Sequence, residues 1–81
     1  MIPKVVEASY KHGYVVRVRF SDGSQGDVNL EDELYGEIFE PLKNLDFFRR
    51  VAVHPEFHTL YWPNGADFAP EFLYERVTIE V

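Results

Sequence analysis

The sequence predicts a single α+β domain over residues 1–81, built as a three-stranded antiparallel meander, short helices, a second β-hairpin and a closing helix. Two observations predict this order, which is βββααββα. Residues 14–20 alternate in the two-residue period of a strand and run into an Asp-Gly turn. After a middle stretch with helix-start signals, the chain becomes β-prone again, and a proline then opens a last helical segment.

The meander is predicted from the first thirty residues of the sequence. Apolar residues at positions 14, 16, 18 and 20 alternate with Val15, Arg17 and Arg19. This predicts that one face of the strand is buried and the other is exposed to solvent. Asp22 and Gly23 are the residues that a type I′ turn favours, which predicts a tight hairpin returning through residues 25–30. Residues 5–10 read as a strand that folds antiparallel onto this hairpin.

Three short helical segments and a second hairpin should follow the meander. Asn29 is a suitable N-cap for residues 30–34, a further turn covers residues 38–42, and another starts at Asn44. Two extended segments then flank a Pro-Glu turn and form the second hairpin. Pro70 marks the start of the closing helix, and residues 76–81 are predicted to be a β-prone tail.

A chain of this length needs nearly all of its large apolar residues for one core. The strand and helix faces above predict which side chains those are. The predicted core consists of Val6, Val16, Val18, Phe20, Val28, Leu34, Phe39, Leu42, Phe47, Val53, Leu60, Trp62 and Leu73.

Composition excludes several classes of protein. The net charge is −6 and there is no cysteine, which excludes disulfide scaffolds, thiolate zinc sites and thiol nucleophiles. We find no apolar run long enough for a signal peptide or a membrane span, so we expect a cytoplasmic protein that does not bind membranes. Excess negative charge disfavours nucleic acid as a direct partner and favours a basic protein.

Four motifs stand out along the chain. They are residues 18–23 (Val-Arg-Phe-Ser-Asp-Gly), 39–42 (Phe-Glu-Pro-Leu) with Phe47 and Phe48, 62–67 (Trp-Pro-Asn-Gly-Ala-Asp) and 69–74 (Ala-Pro-Glu-Phe-Leu-Tyr). Together they resemble a bacterial family catalogued as domain of unknown function 2442. The resemblance implies a compact α+β domain and supplies no catalytic residue that could be transferred to this chain. It also implies that the gene lies beside another small gene, in a toxin–antitoxin-like pair. Some relatives carry an added helix-turn-helix domain, and we do not expect that domain in so short a chain.

The segment from Trp62 to Tyr74 is one candidate binding site. In a structural interpretation, Asn64 makes a turn, Asp67 or a neighbour caps the helix and Trp62 fills the core. In a functional interpretation, the segment forms a shallow surface for a partner, in which an aromatic anchor lies beside fixed hydrogen-bond acceptors. The residues around this surface are Trp62, Asp67, Glu71 and Tyr74. We favour the structural interpretation because Gly, Pro and Asx residues are common where a strand leads into a helix.

The acidic segment is the second candidate site, with Glu31, Asp32 and Glu33 at its centre and Glu37 and Glu40 after them. Dense carboxylates of this kind steer a basic partner toward the surface and raise the association rate. The preferred function is therefore a non-enzymatic, acidic protein-interaction module, as one half of a toxin–antitoxin-like gene pair. Pairing of sheet edges would also allow a homodimer.

A small enzyme or ligand-binding domain is the alternative, centred on the segment from Trp62 to Tyr74 and on His54 and His58. The two histidines are four residues apart, but Pro55 between them disfavours the helix that a metal motif of this spacing needs. No clear third ligand is present, so we expect no metal. We expect no cofactor and no catalytic residues, because the serines lack an evident His-acid pairing and no phosphate-binding loop is present.

Overall fold

The computed structural model describes residues 3–79, and it confirms the predicted meander. Strands β1 (Val5–His12), β2 (Val15–Phe20) and β3 (Gln25–Asn29) form an antiparallel sheet in that order. The inner face of β2 is fully buried, as the alternation predicts, with Val16, Val18 and Phe20 all at 0% exposure. On the outer face, Arg17 and Arg19 of β2 lie between the residues of β1 and β3 with which they pair.

The turn between β2 and β3 differs from the predicted type I′ turn. Of its residues only Gly23 has a positive φ, at +90°. The Gly23 N–H donates to the carbonyl of Phe20 (3.0 Å), and the Phe20 N–H donates to the carbonyl of Ser24 (2.8 Å). This is a three-residue loop with glycine at the left-handed position, a hairpin loop in which Asp22 does not need a positive φ.

Strand β1 contains a bulge that reverses the predicted facing of its first residues. The register shifts between Val5 and Glu7, so Val6 lies outside the regular pairing. Val5 is therefore buried at 0% exposure, whereas Val6 is 44% exposed. The prediction that Val6 belongs to the core is wrong, because an inserted residue in a strand changes which side chains point inward.

The middle of the chain forms shorter helices than predicted. Residues Glu31–Glu33 and Glu40–Lys43 are single 3-10 turns, and the α-helix α1 covers Leu45–Phe48. Asn44 caps α1, since its Oδ1 accepts the N–H groups of Asp46 (2.9 Å) and Phe47 (3.4 Å). In this short helix Phe48 is the fully buried residue and Phe47 is only partly buried, so the predicted core position was one residue early.

The second hairpin joins the first sheet through its loop. Strands β4 (Ala52–Val53) and β5 (Leu60–Tyr61) pair antiparallel. The N–H of Val5 at the start of β1 donates to the carbonyl of His58 in the β4–β5 loop (3.0 Å). This bond fixes the hairpin loop beside the end of the meander.

Helix α2 (Pro70–Ile79) begins at the predicted proline and packs against β3. The prediction of a β-prone tail is wrong for residues 76–79, which continue the helix, and residues 80–81 lie outside the described part. Val77 is buried at 1% exposure and lies over Gly26 of β3. Glycine leaves room there for the helix, which is why the end of this segment is helical and packed.

The core lies between the inner face of the meander, helix α2 and the second hairpin. Predicted core residues Phe39, Phe47 and Val53 are partly buried and pack against it. No helix among residues 3–79 is long and apolar enough to cross a bilayer. The buried apolar residues are Val5, Val16, Val18, Phe20, Val28, Leu30, Leu34, Leu42, Phe48, Leu60, Trp62, Ala66, Phe68, Leu73 and Val77.

Candidate functional site

A groove of about 300 Å³ opens where the second hairpin meets the turn after β5. We call it the aromatic groove. Its volume is at the lower end of the range of ligand pockets, which suits a side chain or a small group rather than a large ligand. Its lining includes His54, Phe57, Tyr61, Pro63 and Asp67.

His54 shapes one wall of the groove by closing the loop that follows β4. Its Nδ1 accepts the N–H groups of Glu56 (3.0 Å) and Phe57 (3.1 Å). Its carbonyl accepts the N–H of His58 (3.0 Å), a residue with a left-handed φ of 52°. A ring nitrogen that accepts hydrogen bonds carries no proton, so the neutral ring is protonated on Nε2.

Three rings lie next to one another along this wall. The His54 ring stacks on Phe57, with centroids 4.5 Å apart and an interplanar angle of 29°. It meets the Tyr61 ring edge-on, at 4.7 Å and 65°. Phe57 is 67% exposed, a high value for a phenylalanine, so the ring stack presents an aromatic surface to solvent.

A tight turn after β5 brings Asp67 into the lining of the same groove, beside Tyr61. The Trp62 carbonyl accepts the N–H of Gly65 (3.0 Å), the backbone N–H of Trp62 donates to the carbonyl of Ala66 (2.9 Å), and Gly65 has φ +90°. The chain thus reverses, and Asp67 forms an antiparallel bridge with Tyr61. The Asp67 side chain is exposed and has no hydrogen bond or ion pair within residues 3–77.

Two of the predicted site residues hold the fold together. Trp62 is fully buried, and its indole N–H donates to the carbonyl of Phe48 (2.9 Å). Asn64 donates from Nδ2 to the carbonyl of Ile38 (2.9 Å) and accepts the N–H of Ala66 (3.1 Å). These contacts correspond to the structural interpretation of the segment.

The predicted residues on helix α2 lie away from the aromatic groove lining. Glu71 is exposed in the first turn of the helix. Tyr74 packs edge-on against Phe20, at 5.1 Å, and donates its hydroxyl hydrogen to Oδ2 of Asp22 (2.7 Å). The backbone N–H of Ser24, and then this hydroxyl, hold the pKa of Asp22 below its ordinary value of 3.8. Tyr74 therefore ties the helix to the β2–β3 turn.

The acidic segment divides into paired and unpaired carboxylates. Glu33 accepts from Arg76 of α2 (2.5 Å), and Glu40 pairs with Lys43 (3.1 Å). Glu31 and Asp32 are exposed and line a second groove of about 300 Å³ together with Tyr14, Leu34 and Lys43. The lining of this second groove shares no residue with the aromatic groove.

The arginines of β2 form cross-strand ion pairs. Arg17 pairs with Asp27 of β3 (3.2 Å) and Arg19 with Glu7 of β1 (3.1 Å). Each pair joins residues that face each other in the sheet register. The outer face of the meander is therefore a mixed charged surface rather than a basic patch.

Among the described residues, no group of three or more His, Asp or Glu side chains is placed to hold a metal ion. His54 lines the aromatic groove, whereas His58 contributes its backbone to the contact with β1. The aromatic residues Phe57 and Tyr61 of this wall were not identified as site residues from the sequence. For Tyr61 a signal was available in the strand period. Leu60 and Trp62 are predicted core residues, so the residue between them faces outward.

The chain was compared with protein-family models, curated proteins and solved structures. No curated protein and no solved structure matches it. A family model matches residues 5–78, which is most of the chain and includes both hairpins, the acidic segment and the aromatic groove. The chain therefore belongs to the family described as "Protein of unknown function (DUF2442)".

Proposed function

We propose that the protein is a non-enzymatic interaction module that binds a basic segment of a protein partner. The observation that carries the proposal is the way charge is distributed over the surface. Because each ion pair is neutral, the net charge of −6 is carried by carboxylates outside the pairs. Ion pairs within residues 3–77 use the cations Arg17, Arg19, Lys43, Arg49 and Arg76.

Three of the unpaired carboxylates lie within residues 31–37 of the acidic segment. Glu31, Asp32 and Glu37 are exposed, and no ion pair within residues 3–77 involves them. A concentration of one charge sign attracts an oppositely charged partner over about one Debye length, which is about 8 Å at physiological ionic strength. This raises the association rate more than it strengthens the final complex.

Capture of partners from the native host, by the tagged full chain, tests the proposal. We expect a basic protein to bind in low salt and to be lost as salt is raised, with mass spectrometry identifying it. The product of a neighbouring small gene, as in toxin–antitoxin-like pairs, is the first partner to test. Binding that is indifferent to ionic strength would remove the basis of the proposal.

A matched pair of variants separates the acidic segment from overall charge. The triple variant Glu31→Gln, Asp32→Asn, Glu37→Gln should slow association of the identified partner by about tenfold. A second triple variant, Glu56→Gln, Glu71→Gln, Glu75→Gln, removes the same charge elsewhere and should have a smaller effect. Equal effects of the two variants on the association rate would contradict a role for the acidic segment.

Ligand binding in the aromatic groove is the second candidate function. It is favoured by one observation, which is that His54 and Asp67 line the same groove. A metabolite that binds the purified protein tightly, with no dependence on salt, would favour this function over the interaction module.

A further inference from the structure

We propose that the aromatic groove holds one arginine side chain of the basic segment, stacked on the rings and paired with Asp67. This inference rests on the proposed function and adds the chemistry of the contact. It concerns a surface separate from the acidic segment, since the two grooves share no lining residue. The acidic segment would attract the partner, and the aromatic groove would hold one of its side chains.

The rings supply the first half of the recognition. The His54 ring contacts both Phe57 and Tyr61, and Phe57 is 67% exposed. The face of an aromatic ring carries partial negative charge and attracts a cation placed over it. A guanidinium group is flat and weakly hydrated, so it stacks on such faces more readily than an ammonium group does.

Asp67 supplies the second half. It lines the same groove, and its carboxylate has no hydrogen bond or ion pair within residues 3–77. A guanidinium can donate two parallel hydrogen bonds to one carboxylate, which fixes its orientation as well as its position. The groove thus offers an acceptor and an aromatic wall, the two features that an arginine side chain recognises.

Other occupants fit the groove less well. An apolar side chain would strip water from the Asp67 carboxylate and give it no partner, which is costly. A phosphate or another anion would be repelled by the same carboxylate and by the negative net charge. Lysine would satisfy the charge, but it would give only a point contact where the groove offers a flat wall.

NMR titration of the full-length protein with single-residue probes tests this assignment. The probes are N-acetyl-arginine amide, N-acetyl-lysine amide and N-acetyl-citrulline amide, of which citrulline keeps the shape of arginine without its charge. We expect the arginine probe to shift the ring resonances of Phe57 and Tyr61 saturably, with about tenfold weaker binding of the citrulline probe. Equal binding of citrulline, equal binding of lysine or no shift of these rings by the arginine probe would each overturn the assignment.

Variants of the groove and a matched control complete the test. Asp67→Asn keeps the shape of the side chain, and Phe57→Ala removes a mostly exposed ring, so both proteins should remain folded, as their amide spectra would show. We expect each to weaken binding of the arginine probe by about fivefold or more. The control Glu31→Gln removes the same charge as Asp67→Asn outside the groove and should change binding by less than twofold.

The outcomes distinguish this inference from the function on which it rests. If Asp67→Asn and Glu31→Gln weaken the arginine probe equally, the groove does not recognise arginine, although a basic partner could still bind the acidic segment. If the arginine probe binds as expected but no salt-sensitive basic partner is captured from the host, the proposed function fails while the chemistry of the groove stands.

Discussion

Single side chains replace regular secondary structure in the loops of this small domain. His54 accepts two backbone N–H groups of the β4–β5 loop, and Asn64 accepts one in the turn after β5. Asp22 accepts the N–H of Ser24 in the β2–β3 turn (2.9 Å). Because these acceptors are side chains, the order of each loop depends on one residue that can be changed without altering the sheets.

Asp22 gives a pH dependence that can be predicted from its contacts. The Ser24 N–H and the Tyr74 hydroxyl favour the ionised carboxylate, so the pKa of Asp22 lies below 3.8 in the folded protein. A carboxyl group with a lowered pKa stabilises the fold fully at pH values above its unfolded pKa, and this contribution is lost as the pH falls through the folded pKa. Asp22→Asn should therefore cost stability at pH 6, and the difference from wild type should shrink as the pH falls below 3.8.

Urea unfolding of both proteins between pH 2 and pH 7 measures this difference, since the other carboxyl groups are common to both. Tyr74→Phe is the matched control, because it removes the contact with the smaller effect on the pKa of Asp22 and leaves the Ser24 N–H in place. It should retain part of the pH dependence that Asp22→Asn loses. Stability curves for wild type and Asp22→Asn that remain parallel over the whole pH range would contradict the role given to Asp22.

At the scale of elements, helix α2 is positioned by a glycine in the strand beneath it. A Cβ atom at Gly26 would lie 3.1 Å from Cγ1 of Val77, which is closer than nine in ten such contacts, so Val77 would have to shift. Gly26→Val should therefore destabilise the protein by about 1–3 kcal/mol through overpacking, although valine itself favours strands. Removing the methyl groups with Val77→Ala should recover part of this loss, so the double variant should be less destabilised than the sum of the single variants.

Denaturant unfolding of the two single variants and the double variant measures this coupling. Gln25→Val is the control, because Gln25 is the exposed neighbour of Gly26 in the same strand and faces Arg19 rather than the helix. It should change the free energy of unfolding by less than about 0.5 kcal/mol. Additive effects of Gly26→Val and Val77→Ala would show that the helix does not rest on this contact.

The elements were predictable from sequence where one periodicity continued without interruption. Residues 14–20 alternate with no inserted residue, and Val16, Val18 and Phe20 are buried as predicted. Val6 was placed on the wrong face because the bulge in β1 depends on pairing with β2, which a single segment does not specify. The tail after Arg76 is β-prone in isolation, yet it is helical because Val77 packs on Gly26.

The candidate site was less predictable because it combines loops that are distant in sequence. Asp67 was identified as a candidate, but its neighbours in the groove come from the β4–β5 loop, where Phe57 follows no strand or helix period. The pairing of Arg17 and Arg19 with acidic residues of neighbouring strands likewise follows from the sheet register. The groove and these ion pairs depend on tertiary contacts, which the local sequence pattern does not specify.

At the scale of the whole molecule, Trp62 joins the second hairpin to the rest of the core. Its ring packs on Phe48, at 5.5 Å, and on Phe68, at 5.8 Å, and its N–H satisfies the carbonyl of Phe48. Phe48 in turn contacts Tyr10 of the meander, at 6.1 Å. The two sheets therefore share one core, and we expect them to unfold together.

Trp62→Phe tests this shared core. The smaller ring leaves a cavity and removes the indole hydrogen bond to the Phe48 carbonyl, which keeps the N–H of Val51 as a donor (3.2 Å). The free energy of unfolding should therefore fall by about 2–3 kcal/mol. Amide NMR resonances from β2 and from β5, followed through a urea titration, should show one common midpoint in wild type and a lower common midpoint in the variant. Phe57→Ala, which truncates an exposed ring, is the control and should lower the midpoint little. Separate midpoints for the two sheets in wild type would mean that the hairpin carrying the aromatic groove is an independent unit, and that Trp62 does not couple it to the meander.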